Sequence, residues 1–248
     1  MFNNYFHSKF ILILIFLVAS FLAFGQKSNS KQIEELSTFF QHYENRDYKW
    51  IVENKNKYYR LFENENSRNA EDYLRFIYSI SLSEYYLGNY YESVKYIDEI
   101  VIGAEKIFGQ NSIDFVGVIG NLPQIYIELG EYDKATVLLL KCEVENIIHP
   151  MTQLNMLLQL GHIYKKKNNS SLAISALEKA VLVNDQLNNP SIKLKLSLLN
   201  ELSQIYSILG LRSKSIEYIS NAIKIASDNE ELFLDDYYTL LFNCKSSA

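Results

Sequence analysis

The sequence predicts an all-α chain, a solenoid of about five stacked helical hairpins followed by a terminal helix. Three observations predict it. Proline and glycine are scarce, three and nine among 248 residues, and the period-two alternation of half-buried strands is hard to find. Small and bulky side chains recur at a near-constant stride, the mark of stacked supersecondary units. The repeats also share one turn signature, a Gly or Asn placed where a helix must reverse.

Composition bounds the function. Hydrophobic residues make up 48% of the chain and charged residues 21%, the balance of a folded protein rather than a disordered one. The net charge of −5 argues against nucleic acid as the main partner, because phosphate binding needs a basic stripe.

The first 25 residues differ from the rest. Lys9 supplies a basic start, and Phe10 to Phe24 is an apolar run without a charge. Ala23 and Gly25 then place small residues before a cut between Gly25 and Gln26. That is the layout of a secretory signal peptide. The run is shorter than the ~20 apolar residues a membrane span needs, so the expectation is export, to the periplasm or the medium, with no stable membrane insertion after cleavage. A retained anchor is the competing reading. No cysteine follows the run to carry a lipid. Removing residues 1–25 takes away one base and no acid, which moves the net charge from −5 to −6. The two cysteines, Cys142 and Cys244, fall on helices several steps apart along the stack. Neighbouring helix axes stand ~8–10 Å apart, while a disulfide needs Cα atoms within ~7 Å. Both therefore read as small apolar core residues.

Residues 26–248 are read as one repeat domain. Four segments align: Leu82–Tyr90, Leu122–Tyr132, Leu160–Tyr164 and Leu202–Gly210. Their turn residues Gly88, Gly130, Asn168 and Gly210 lie 42, 38 and 42 apart, and one further step back from Gly88 lands on Arg46, a degenerate first copy. Five residues after each turn comes a small side chain: Ser93, Ala135, Ala173, Ser215. Seven further on stand Ile100, Cys142, Ala180 and Ala222, where the next hairpin docks. Ser81, Gly161 and Ser203 are the small residues of the first helices, and Tyr126, Tyr164 and Tyr206 fill the space between paired helices. Small residues at a helix contact permit the short end of helix packing distances.

These positions resemble the tetratricopeptide repeat (TPR). Its Leu-Gly-x-Tyr-x-x-Ser/Ala core is legible at Leu87–Ser93 and Leu129–Ala135. The interval of 42, with Ala104–Gly109 followed by Asn121-Leu122, is similar to the longer kinesin-light-chain type. Glu84 stands where that pattern expects Tyr, Pro123 where it expects a small residue, and Arg212 where it expects the second-helix Tyr. The resemblance covers roughly residues 31–248. It implies a right-handed solenoid of TPR-like hairpins, with repeats at about 31–66, 69–110, 112–149, 152–190 and 191–227 and a terminal helix at 230–244.

The elements follow in order. First helices are expected at Lys31–Tyr43, Asn69–Leu87, Ser112–Leu129, Thr152–Lys167 and Ser191–Leu209. Second helices are expected at Asp47–Glu63, Tyr90–Phe108, Asp133–Asn146, Ser171–Leu187 and Lys214–Ala226. Pro123 lies inside the third first helix, where proline costs ~3 kcal/mol, and Gly117 and Gly120 precede it. That segment is expected to kink or start irregularly, widening the groove at Asn121–Gln124, or else to begin late with Pro123 in its first turn. Between Leu232 and Phe242 the terminal helix carries little polar surface, so it either folds back, docks a partner or self-associates.

The resemblance further implies that the first helices line a concave, partner-binding face. Counted from the turns, that face takes Tyr78, Tyr85 and Tyr86, then Asn121, Gln124 and Glu128, then Asn155, His162 and Lys166, and finally Gln204. Tyrosine supplies apolar area with a polar tip, which suits protein or peptide recognition, although the same rings could simply pack between helices. The basic-and-asparagine clamp with which family members grip a terminal carboxylate is not reproduced. Lys165 and Lys166 read as a solvated helix end, favourable near its carbonyls.

Chemical motifs are missing. His7, His42, His149 and His162 have no metal-ligand spacing. No phosphate-cradling loop or nucleophile elbow occurs, and Asp235-Asp236 reads as a solvated helix face. No cofactor, metal or enzymatic activity is expected. The leading expectation is a non-catalytic scaffold or adaptor in the cell envelope. The alternatives are a sensory or regulatory TPR portion of a larger signalling or protease system, and an outer-membrane assembly factor.

Overall fold

The computed structural model describes residues 30–63, 70–110, 112–142 and 149–228. The expected terminal helix, the leader and Cys244 lie outside them. All secondary structure among the described residues is helical. Among them twelve α-helices are described: α1 (Ser30–Glu44), α2 (Tyr48–Tyr59), α3 (Ala70–Tyr86), α4 (Tyr90–Ser93), α5 (Ile97–Phe108), α6 (Ile113–Ile119), α7 (Pro123–Glu128), α8 (Tyr132–Lys141), α9 (Pro150–Lys166), α10 (Ser170–Asp185), α11 (Ile192–Ile208) and α12 (Arg212–Asp228). They divide into two compact units, one up to Glu131 and one from Tyr132.

The turns obey one rule. Gly88, Gly130 and Gly210 have φ of 81°, 73° and 70°, Asn168 has 56°, and Arg46 has 60°. At each, the next residue donates its N–H back five positions: Asp47 to His42 O, Asn89 to Glu84 O, Glu131 to Tyr126 O, Asn169 to Tyr164 O, Leu211 to Tyr206 O, all at 2.8–2.9 Å. The turn residue itself donates back three positions. This left-handed closure satisfies carbonyls that a helix end would otherwise orphan. The stride from Gly88 thus locates a true turn at Arg46, although no glycine marks it.

Restart signals are equally local. The side chains of Asp47, Ser112, Asn169 and Ser191 accept the N–H groups of Trp50, Phe115, Leu172 and Leu194 as N-caps. Buried Asn184 fixes the chain before α11, its Oδ1 accepting Ser191 N–H at 3.1 Å.

Close helix approach is achieved in two ways. In the α3/α4 hairpin, Ser81 Oγ donates to Ser93 O at 3.0 Å and Ser93 Oγ to Ser81 O at 2.6 Å. In the α11/α12 hairpin, Ser203 Oγ donates to Ser215 O at 2.9 Å. The α9/α10 hairpin puts Gly161 against Ala173's helix instead, and a β-carbon on Gly161 would sit 2.7 Å from Leu177 Cδ2. The first hairpin departs from this scheme. At the equivalent positions it carries Phe39, Ile51 and Tyr58, all buried. Ring contacts take over there: Phe39 lies 5.0 Å from Tyr58 and 4.8 Å from Phe76, centroid to centroid.

Three helices differ from expectation, the one expected over 47–63 passing from α2 into a 3₁₀ turn at Arg60–Phe62. The helix expected over 112–129 breaks into α6 and α7, with Pro123 at the first turn of α7. Proline has no N–H to continue the ladder. Leu122 N–H turns to Ile119 O at 3.1 Å, and the Asn121 side-chain amide takes Gly117 O at 3.3 Å. Irregularity and late start therefore coexist. The helix expected over 90–108 is interrupted by a 3₁₀ stretch, Val94–Tyr96, where Ile97 N–H turns to Val94 O and Ser93 O receives the Ser81 hydroxyl.

In the C-terminal unit α8 packs on α9, and the α9/α10 and α11/α12 hairpins pack on each other. Leu196, Leu199, Ala222 and Ala226 form a core there with Tyr218 and Ile225 against it.

Candidate functional site: the first-helix face

Helical register decides which side chains can meet a partner. Positions that repeat as small or apolar, five and twelve residues after each turn, are buried. Two positions before each turn the side chain points outward and changes from copy to copy; six before, it does so in the third, fourth and fifth copies, whereas Phe40 and Leu82 there are buried. Six before stand Gln124, His162 and Gln204; two before stand Tyr86, Glu128, Lys166 and Ile208. Gln124 and Tyr86 are half-buried, and the others are exposed.

In the N-terminal unit this face is laid with tyrosine. Tyr86 stacks on Tyr48 at 4.6 Å and 18°. Tyr85 meets Tyr86 edge-on at 5.3 Å and Tyr90 at 5.7 Å. Tyr43 reaches Tyr48 at 6.2 Å. Tyr78 is buried, at 7% exposure, so it acts on this face through its hydroxyl, which accepts a 2.8 Å hydrogen bond from Asn121 Nδ2. That bond ties α3 to the break before α7. One turn on, Gln124 Nε2 donates to Glu128 Oε1 at 2.8 Å. The structure thus joins Tyr78 to Asn121 and Tyr85 to Tyr86.

Electrostatics keep these phenols neutral. Burial pushes Tyr78 up to about 12, partly offset by the Asn121 amide. Burial likewise raises Tyr86, with Tyr48, Tyr78 and Tyr85 adding to it. Tyr85 is raised by burial and then by the Glu128 carboxylate. Neutral phenols serve as donors at any physiological pH.

Arg75, one helical face along from Tyr78, lies 3.9 Å from the Phe40 ring centroid and donates to Glu44 Oε1 at 3.1 Å. Sequence reasoning passed over Arg75, Tyr43 and Tyr48; Arg75 stands one turn before Tyr78 on the same helix, a spacing visible in the sequence, but Tyr48 reaches Tyr86 only through tertiary packing. Glu84, where a tyrosine was expected, is 2% exposed. Its carboxylate accepts from Lys55 Nζ at 2.7 Å and Asn89 Nδ2 at 2.9 Å. Burial pulls the Lys55 ammonium down, but the Glu84 hydrogen bond and neighbouring Tyr96 outweigh it and raise its pKa.

In the C-terminal unit the same face is plainer. His162, Lys166 and Gln204 are exposed and Asn155 is half-buried. Gln204 Nε2 reaches Asn200 Oδ1 at 3.4 Å, and Lys165 pairs with Glu201 at 3.0 Å rather than standing as a simple solvated helix end.

Reactive chemistry is sparse. Among the described residues no group of three or more His, Cys, Asp or Glu could hold a metal ion. Burial pushes the Cys142 thiol up to about 12, which suppresses the thiolate. Among the described residues no helix is long and apolar enough to cross a membrane.

No curated protein sequence matches this chain. The Tetratricopeptide repeat family signature matches residues 154–186 and 196–229. The chain is similar in structure to the kinesin light chain nearly identical TPR-like repeats of Podosopora anserina, with a TM-score of 0.63 and 16% identity over 82% of this chain and 99% of that one. It is also similar to BtubC (BKLC) from P. vanneervenii, with a TM-score of 0.58 and 16% identity over 87% of this chain and 84% of that one. Repeating left-handed turns, small-residue contacts and these matches show tetratricopeptide repeats at residues 154–186 and 196–229 and, for the chain, a fold similar to that of kinesin-light-chain-like TPR repeats.

Proposed function

We propose that this chain is a non-catalytic scaffold or adaptor that binds a protein or peptide on its first-helix face. The observation that carries the reading is the division of labour along the repeat. Packing positions recur as the same small and apolar residues, whereas the outward positions of the first helices vary and, in the N-terminal unit, gather Tyr85, Tyr86, Gln124 and Glu128. Half-buried tyrosines offer rigid apolar area and a hydrogen-bonding tip with few rotors to order, which is why they dominate recognition surfaces. The charge-free run Phe10–Phe24 and the small residues before Gln26 support a working place outside the cytoplasm, in the cell envelope or the medium.

The test is capture of partners by the mature protein beside a Tyr85→Ala, Tyr86→Ala, Gln124→Ala variant of unchanged helicity. Loss of partner recovery in the variant is expected. Equal recovery from both proteins would dismiss the first-helix face.

A further inference from the structure

We propose that the turn at Gly210 docks on an anionic membrane surface. Ile208, Leu209 and Leu211 enter the headgroup layer there, and Lys214 beside them meets the lipid phosphates. The inference goes beyond the scaffold reading and does not depend on it.

One buried residue organises the tip. The Tyr206 backbone oxygen accepts the Leu211 N–H at 2.9 Å, which closes the left-handed turn at Gly210. The Lys214 ammonium stands 5.1 Å from the centroid of the same Tyr206 ring, a contact that holds the cation beside the tip. Ile208 is 83% exposed, Leu209 45% and Leu211 50%. Earlier turns are built differently. Where Leu211 stands they carry Asp47, Asn89, Glu131 and Asn169, and where Ile208 stands they carry Glu44, Tyr86, Glu128 and Lys166. Each of those side chains has a polar group to offer water, and Ile208 and Leu211 have none. Single exposed apolar side chains are ordinary on a protein surface. Three around one turn form a contiguous patch, which marks a contact surface.

Charge and shape select the occupant. No acidic residue stands between Glu201 and Glu217, which bracket the Gly210 turn, or between Glu145 and Glu178, which bracket the Asn168 turn. Glu201 itself is neutralised by Lys165 at 3.0 Å, and that pair brings the lysines at the end of α9 beside α11. On a chain of net charge −5, an acid-free stretch with its own lysine is what permits approach to an anionic surface. A small molecule or peptide needs concave walls to bury it, and Ile208, exposed almost throughout, has none around it. A lipid interface is soft enough to receive a projecting apolar tip, whose affinity grows with the apolar area buried. Anionic headgroups add attraction for each nearby lysine.

The test is co-sedimentation of the mature protein, free of the Phe10–Phe24 run, with phosphatidylcholine vesicles and with vesicles that also contain phosphatidylglycerol. The variants are Lys214→Gln and a double change, Ile208→Ser with Leu211→Ser. Leu182→Ser and Lys224→Gln serve as controls, because Leu182 is 61% exposed on α10 and Lys224 is exposed towards the other end of α12. Binding only to the phosphatidylglycerol-containing vesicles is expected, and it should weaken as salt rises. It should fall about fivefold in Lys214→Gln and roughly tenfold in the double variant, with no change in either control. Equal sedimentation with both vesicle types, or with neither, would overturn the proposal. So would full binding by the double variant, or equal losses in variants and controls. Gel filtration of the same proteins reveals the rival occupant: a dimer that the double variant dissolves, without vesicle binding, would assign the turn to a second copy of the chain.

Discussion

Arg46 does a glycine's work without being one. Its φ of 60° costs an L side chain roughly 1 kcal/mol or more, yet its turn closes with the same hydrogen bonds as the others. Arg46→Gly should therefore raise stability by about 0.5–1 kcal/mol, seen as a higher urea midpoint at unchanged slope. A lower midpoint would mean the arginine side chain contributes more than its backbone costs. Two helical glycines make an opposed pair. Gly161→Ala forces a β-carbon to 2.7 Å from Leu177 Cδ2 and should destabilise by about 1–3 kcal/mol. Gly117→Ala meets nothing within 4 Å and should gain up to about 1 kcal/mol from helix propensity. Thermal melts of both variants would separate them, and like-signed shifts would contradict the packing described. Turn residues were legible in the sequence because left-handed backbone is a property of one residue and its Cβ. Arg46 was legible only through the stride.

At the scale of elements, legibility depended on whether the cause was local. Pro123 with Gly117 and Gly120 announced a broken helix, and the break lies where proline's missing N–H puts it. The 3₁₀ interruption at Val94–Tyr96 had no such herald, since the carbonyl concerned is engaged by Ser81 from another helix. Glu84 was visible as a departure from the tyrosine pattern, but its partner Lys55 sits 29 residues earlier on a different helix. Lys55→Met should cost about 3 kcal/mol, because it strands a carboxylate that is 2% exposed. The pair also sets a pH dependence. The folded pKa of Lys55 is raised above its usual 10.5. Its stabilising contribution is thus complete below that pH and is lost as pH rises through the folded value. The wild-type and Lys55→Met urea curves should converge on going from neutral to strongly alkaline pH; a constant gap would contradict the ion pair.

For the molecule as a whole, the stride carried most of the fold. It placed five turns and the alternation of first and second helices, because each hairpin must nest on its neighbour to bury its apolar side. It did not disclose that the first hairpin exchanges small contacts for rings, with Phe39, Ile51 and Tyr58 where later copies carry Ser81, Ser93 and Ile100. Nor could it show Tyr48 laid against Tyr86. Alkali should expose that tyrosine assembly. The folded pKa values of Tyr43, Tyr78, Tyr85 and Tyr86 all stand above the ordinary phenol value of 10.0. Their contribution is therefore intact below pH 10 and lost as pH climbs through the raised values, so the last part of the absorbance rise at the phenolate band should come late and in step with loss of helicity. Full ionisation of all 19 tyrosines at unchanged helicity would contradict their burial.

The central claim, that the outward side of the first helices receives the partner, is tested most directly by placing a photo-crosslinking benzophenone residue at Gln124 and, separately, at exposed Glu217 on the second helix α12. Irradiation with the partner recovered by capture should give a covalent adduct from position 124 and none from position 217. An adduct from position 217 alone would contradict the assignment.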